Sequence, residues 1–132
     1  MTQRELRDQI FKLLFEHELT NNDINQRKLE ILESMDISAS KKIFFEKYID
    51  GVVSNEQKIK DEIKNKIKGW SFLNLGTTER VILKMAFYEI LIDEIGEEIA
   101  INEAIELSKI YGDENTKTFI NGILADLVRN KE

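Results

Sequence analysis

Apolar residues recur along this chain at intervals of three and four, the spacing that lines up one face of an α-helix. Leu6, Ile10, Leu13 and Leu14 share one side of a first helix, with His17 among them. Ile59, Ile63 and Ile67 repeat every fourth position and turn the intervening lysines outward. Ile120, Ile123, Leu124 and Leu127 form a similar stripe near the C-terminus. From Val81 to Ile92 the chain is apolar around nearly its whole circumference, which predicts a central helix buried among several others. Thr2–Glu5 and Ser54–Gln57 fit capping boxes, Asn22, Ser38, Thr77 and Asn115 suit N-caps, and Gly76 and Gly112 suit helix ends. The pattern predicts helices over 3–19, 24–34, 39–53, 55–68, 77–94, 98–111 and 116–130. Asn121-Gly122 is a hairpin signal, but its flanks lack strand alternation and the helical stripe runs across it. A glycine inside a helix costs about 1 kcal/mol against alanine. Its expected use here is close approach of another helix or a ligand.

Composition narrows the class. The 132 residues suffice for one domain, taken as 1–132, and hold no proline and only six glycines, few for the many turns of a β protein. No apolar run is long enough to span a membrane, and the start lacks an apolar leader core, so a cytoplasmic address is expected. Without cysteine there is no disulfide, thiol nucleophile or cysteine-held zinc, and a single histidine excludes most metal sites and triads. No phosphate loop, Gly-x-Ser-x-Gly or His-Glu-x-x-His occurs. Neither catalysis nor a cofactor or metal is expected. His17, on the apolar side of its helix, is expected to be a partly buried structural residue.

Charge adds candidate binding chemistry. The net charge is -6, which argues against general affinity for nucleic acid. Its distribution is uneven. Lysines stand at 58, 60, 64, 66 and 68, whereas acids stand at 89, 93, 94, 97, 98, 103 and 106 with no base among them. The acidic stretch is either a solvated face or an attractor for a basic protein. On the first helix Arg4, Arg7, Phe11 and Phe15 fall within about a quarter turn, given ~100° per residue. Arginine forks onto phosphate and aromatic rings stack on unpaired bases, so the stripe either contacts single-stranded RNA or packs. Asn102, Glu103, Glu106 and Lys109 share a polar face, and Phe119 lies at the edge of its helix's apolar stripe near Lys117.

Three segments together resemble a known family. They are Arg4-x-x-Arg7 with Lys12–Leu19; Gly69-Trp70 leading to Leu75–Leu83 and Phe87-Tyr88-Glu89; and Ala100–Lys109 with Tyr111-Gly112 and Phe119–Leu124. In order and spacing they are similar to the bacterial transcription antitermination factors of the NusB family. The resemblance implies an all-α fold of about seven helices arranged as two packed three-helix bundles. It implies binding to the boxA element of nascent ribosomal RNA together with NusE, a basic small-subunit ribosomal protein, and help in loading an antitermination complex on RNA polymerase. By position it implies RNA contacts at Arg4, Arg7, Phe15, Lys117 and Phe119. It implies a NusE-facing surface at Glu79, with Glu103 and Glu106 as further acidic candidates. The family often clusters three or more arginines at its start; here Glu5 and Leu6 separate Arg4 from Arg7, so weaker RNA binding alone and stronger dependence on the partner are expected. Two alternatives stay open: a self-association module whose homodimer hides the RNA surface, and an appendage of a ribosomal RNA methyltransferase.

Overall fold

The computed structural model describes residues 1–67, 69 and 71–129. Lys68 of the lysine run, Trp70 of the second segment and the expected helix end at 130 lie outside the described residues. Seven α-helices and no strand occur among the described residues, in two compact units that divide after Ser54.

The first unit holds α1 (Gln3–Thr20), α2 (Ile24–Ser34) and α3 (Ala39–Ser54), each packed on the other two. The predicted capping box opens α1: the Thr2 hydroxyl accepts from the Glu5 N–H at 3.1 Å, and the Glu5 carboxylate accepts from the Thr2 N–H at 2.9 Å. These bonds hold the Glu5 carboxyl below its ordinary range, the backbone one contributing most. Asn21 closes α1 in the left-handed conformation, at φ 53°, and donates its N–H to the His17 carbonyl at 2.8 Å. Asp23, not Asn22, caps α2. Asn22 is engaged elsewhere: its carbonyl lies 2.9 Å from His17 Nδ1, which makes His17 a half-buried structural residue at the helix end. Ser38 caps α3 through its hydroxyl, which accepts from the Lys41 N–H at 3.4 Å. The apolar stripe Leu6, Ile10, Leu13 and Leu14 meets Phe45, Ile49 and Val52 in this unit's core. Burial works to lower the Lys28 ammonium, but a 2.7 Å hydrogen bond to Asp50 and the charges of Asp50 and Glu46 outweigh it and hold the group above its ordinary value.

The second unit begins at Asn55. It contains α4 (Glu56–Lys66), a 3₁₀ turn (Phe72–Asn74), α5 (Thr77–Phe87) continued by a π-helical turn (Tyr88–Ile92), α6 (Glu97–Tyr111) and α7 (Glu114–Arg129). The second expected capping box does not form. Helix α3 runs through Ser54, whose hydroxyl donates back to the Asp50 carbonyl at 2.8 Å, and Asn55 precedes α4 without a side-chain cap. As predicted, α5 is central: every residue from Val81 to Ile90 is buried, and α4, α6 and α7 pack around it. That includes Lys84, whose Nζ lies 3.3 Å from Glu56 Oε1 and 5.7 Å over the Phe72 ring. The π turn is marked by the Asp93 N–H donating to the Tyr88 carbonyl at 2.9 Å, five residues back. Gly112 ends α6 and Gly76 precedes α5, as expected, while Thr77 is the first residue inside the helix. The expected close approach at Gly122 is absent. The residue is exposed, and a Cβ there would meet nothing within 4 Å. No helix among the described residues is long and apolar enough to cross a membrane.

Candidate functional site

The arginine–aromatic stripe of α1 divides into exposed and packed members. Arg4 is exposed in the first turn, and Phe15 is half-buried with its ring centroid 5.7 Å from that of Phe11. Phe11 is in the core. Arg7, the second arginine of the stripe, is mostly covered. It is only 5% exposed, and its guanidinium stands 5.9 Å over the Phe44 ring of α3. The cause is tertiary. A helical wheel places Arg7 beside Arg4, but α3 covers that part of α1 and sets an aromatic face against the guanidinium. The first unit also has an open cavity of about 670 Å³ between α1 and α2, with the Arg27–Glu16 ion pair on its wall.

The second unit brings together two residues that sequence analysis had given different tasks. Glu79 and Phe119 line one cavity of about 360 Å³, with Asn74, Leu75, Asn115 and Asp113 among its other walls. The 3₁₀ turn, the first turn of α5 and the first two turns of α7 build it. Glu79 lies three residues inside α5, and its side chain folds back over the helix start. A Cβ at residue 76 would stand 2.6 Å from Glu79 Oε1, so glycine there leaves room for the carboxylate. Asp113 holds the start of α7: its Oδ1 accepts from the Thr116 N–H at 2.9 Å, and the Thr116 hydroxyl accepts from the Asp113 N–H at 3.3 Å. The backbone bond first, then the bond from the Thr116 hydroxyl, keeps the Asp113 carboxyl below its ordinary range and ionised at neutral pH. The predicted cap at Asn115 is thus taken by Asp113, and Asn115 turns to the cavity. Asn74, Asp113 and Asn115 line the cavity too, a role that helical periodicity does not reveal. The available signal was the density of capping-type residues on either side of Gly76 and Gly112.

Lys117, on the same turn of α7, is partly exposed, with its Nζ 3.9 Å from Glu114. Glu103 and Glu106 are half-buried on α6, and Glu106 pairs with Lys109 at 3.4 Å. Exposed Ile99 and Ile110 fall on the same helical face as these two acids. Tyr88, in the π turn, has its phenol pushed up to about 12 by burial and by the charges of Asp93 and Glu89, so it stays protonated.

Known proteins share this chain's sequence pattern and fold. A transcription antitermination protein NusB of Sulfurimonas denitrificans is 35% identical over 130 residues, covering 98% of each chain. A solved NusB structure from T. maritima is 34% identical with a TM-score of 0.87, covering 98% of this chain and 92% of that one. A chain in a crystal structure of antitermination factors NusB and NusE in complex with dsRNA shares the fold at a TM-score of 0.85 and 23% identity, with 96% of each chain covered. The NusB family matches residues 4–129, nearly the whole length, and the chain belongs to that family.

Proposed function

We propose that this protein is a transcription antitermination factor. It binds the boxA element of nascent ribosomal RNA, together with the basic ribosomal protein NusE, and helps load the antitermination complex on RNA polymerase in the cytoplasm. The observation that carries this is the match to the NusB family over residues 4–129, alongside relatives that are named transcription antitermination proteins. One solved relative of the same fold holds NusB and NusE with dsRNA.

The role is binding, not catalysis. In the first unit Arg4 meets phosphate and Phe15 offers an aromatic edge; in the second, Lys117 meets phosphate and Phe119 stacks on a base. Arg7 acts behind Arg4 by fixing α1 to α3 and does not touch RNA. Glu103 and Glu106, flanked by Ile99 and Ile110, offer acidic and apolar contacts to a basic partner, and Glu79 is the remaining acidic candidate.

Fluorescence anisotropy of labelled boxA RNA against a scrambled RNA, with and without NusE, tests the reading. A preference for boxA that tightens when NusE is added is the expected result. Equal binding of the two RNAs in both conditions overturns it and leaves a helical interaction module. Light scattering during the titration checks self-association: a dimer dissociated by RNA would mean that a second copy hides the RNA surface.

A further inference from the structure

We infer that the groove between α1 and α2 is a docking site for a cationic amphipathic helix of another protein. The inference is independent of the RNA-binding reading above: Arg4 and Phe15, the RNA contacts proposed on α1, are not among the walls of the groove.

The groove exists because a three-helix unit leaves one pair of helices open on its outer side. Helices α1, α2 and α3 pack on one another, yet the walls of the cavity of about 670 Å³ come from α1, α2 and the residues next to them, with none from α3. Its floor is apolar: Leu13, Ile31, Met35 and Ile37, the last three only half-buried. Met1 and Met35 both line it, and this unbranched, polarisable side chain adapts its shape to whatever packs on it. On α1 the walls run from Glu5 to Glu16, about 16 Å of helix rise or about three turns. That shape suits a helix laid along the groove as a fourth member of the bundle, with an apolar residue turned to the floor on each turn.

The charge around the groove selects the occupant. The carboxylates of Glu5, Asp8, Glu16, Glu30 and Asp36 stand on its walls and flanks, against Lys12, Arg27 and the terminal amine. Both cationic side chains are already engaged: Lys12 Nζ lies 3.3 Å from Asp8, and the Arg27 guanidinium lies 3.2 Å from Glu16 and 3.3 Å from Glu30. The bonds that cap α1 favour the ionised form of Glu5. Asp36 is exposed, with no hydrogen bond or ion pair among the described residues. An RNA strand would bring its phosphates against these carboxylates and is repelled. A second copy of this chain carries a net charge of -6 and is repelled as well. A helix flanked by lysine or arginine meets them with opposite charge, while its apolar stripe covers Ile31, Met35 and Ile37.

Methionine-methyl NMR on the full chain tests this, because the methionines carry their own control. Met35 lines the groove, whereas Met85 is 1% exposed in the second unit. The probe is a helical peptide of about 18 residues built from leucine and lysine, with leucines at i, i+3, i+4 and i+7. It is compared with the same peptide carrying glutamate for lysine, with a scrambled peptide of the same composition, and with boxA RNA. The leucine–lysine helix should shift the Met35 methyl saturably and leave Met85 in place. The glutamate peptide and the RNA should move neither, and the scrambled peptide should bind at least roughly tenfold more weakly. Reversing the rim charge with Glu30→Lys and Asp36→Lys should weaken the helix roughly tenfold, whereas the same charge change on α4, Asp61→Lys with Glu62→Lys, should leave its affinity unchanged. Thermal melts identify a variant that fails to fold, and the wild-type spectra then decide. No binding, or binding that leaves Met35 unmoved, overturns the proposal. So does an equal loss from the α4 reversal, which places the peptide elsewhere, or equal binding of the scrambled peptide, which reduces the contact to charge alone. If the RNA shifts Met35 as the helix does, the groove holds nucleic acid and the proposal is overturned.

Discussion

Two arginines three positions apart on α1 have opposite fates, and the difference is set by what covers them. Arg4 is exposed, whereas Arg7 is 5% exposed over Phe44. Residue identity and helical spacing were legible in the sequence; the covering by α3 was not, since it depends on contacts between residues 37 positions apart. The consequence is measurable. Arg7→Ala removes a packed stem and a cation–π contact and should cost about 1–3 kcal/mol in urea unfolding. Arg4→Ala should leave the unfolding midpoint nearly unchanged and weaken RNA binding of every sequence. The reverse pattern would return Arg7 to the RNA surface. Lys28 makes a second residue-scale prediction. Its pKa is raised in the folded protein, so its contribution to stability is present throughout neutral pH and is lost only as pH rises past the ordinary lysine value of 10.5 and through the higher folded value. The stability gap between wild type and Lys28→Met should therefore stay constant from about pH 7 to 10 and shrink above it. A gap that already closes near pH 8 would show that the Asp50 and Glu46 contacts do not hold the charge.

At the scale of elements, helical periodicity located all seven helices, and most boundaries fall within two residues of the predicted ones. What it could not supply were choices settled by neighbours. Aspartates at 23 and 113 took caps expected of Asn22 and Asn115, and α3 absorbed the serine expected to open α4. The end of the central helix was also not legible. Periodicity extends one helix to residue 94, but the backbone widens into a π turn at Tyr88–Ile92. Burial of Tyr88, Glu89 and Ile90 against surrounding helices fixes their register there, and that is not encoded in the local pattern. Two glycines separate these effects. Gly122 sits mid-helix, exposed, with open space where a side chain would go, so Gly122→Ala should stabilise the protein by about 0.5–1 kcal/mol. Gly96, before α6, has φ +112°, a conformation that L residues rarely adopt, so Gly96→Ala should destabilise it by about 1–3 kcal/mol. Chemical denaturation of the two variants side by side checks both signs. A destabilised Gly122→Ala would restore the close approach expected from the sequence.

The whole molecule is acidic, with 25 acids against 19 lysines and arginines, and yet belongs to a family of antitermination factors. Net charge sets a limit on how RNA can be held. With Arg7 packed away, Arg4 and Lys117 are the two phosphate contacts carried by the proposed function, and Lys117 already stands near Glu114. For single strands each neutralised phosphate contributes a slope of about -0.7 to the logarithm of affinity against the logarithm of salt, so two contacts give about -1.4. RNA binding by the protein alone should accordingly be weak and only mildly salt-dependent. A basic partner that met the acids of α6 and brought its own cations to the RNA would raise affinity and steepen the slope together. Anisotropy titrations across about 50–200 mM salt, with and without the partner, measure both quantities. A steep slope for the protein alone would reveal a basic RNA surface larger than Arg4 and Lys117. A partner that raises affinity without steepening the slope would act by ordering this protein, not by sharing the phosphates.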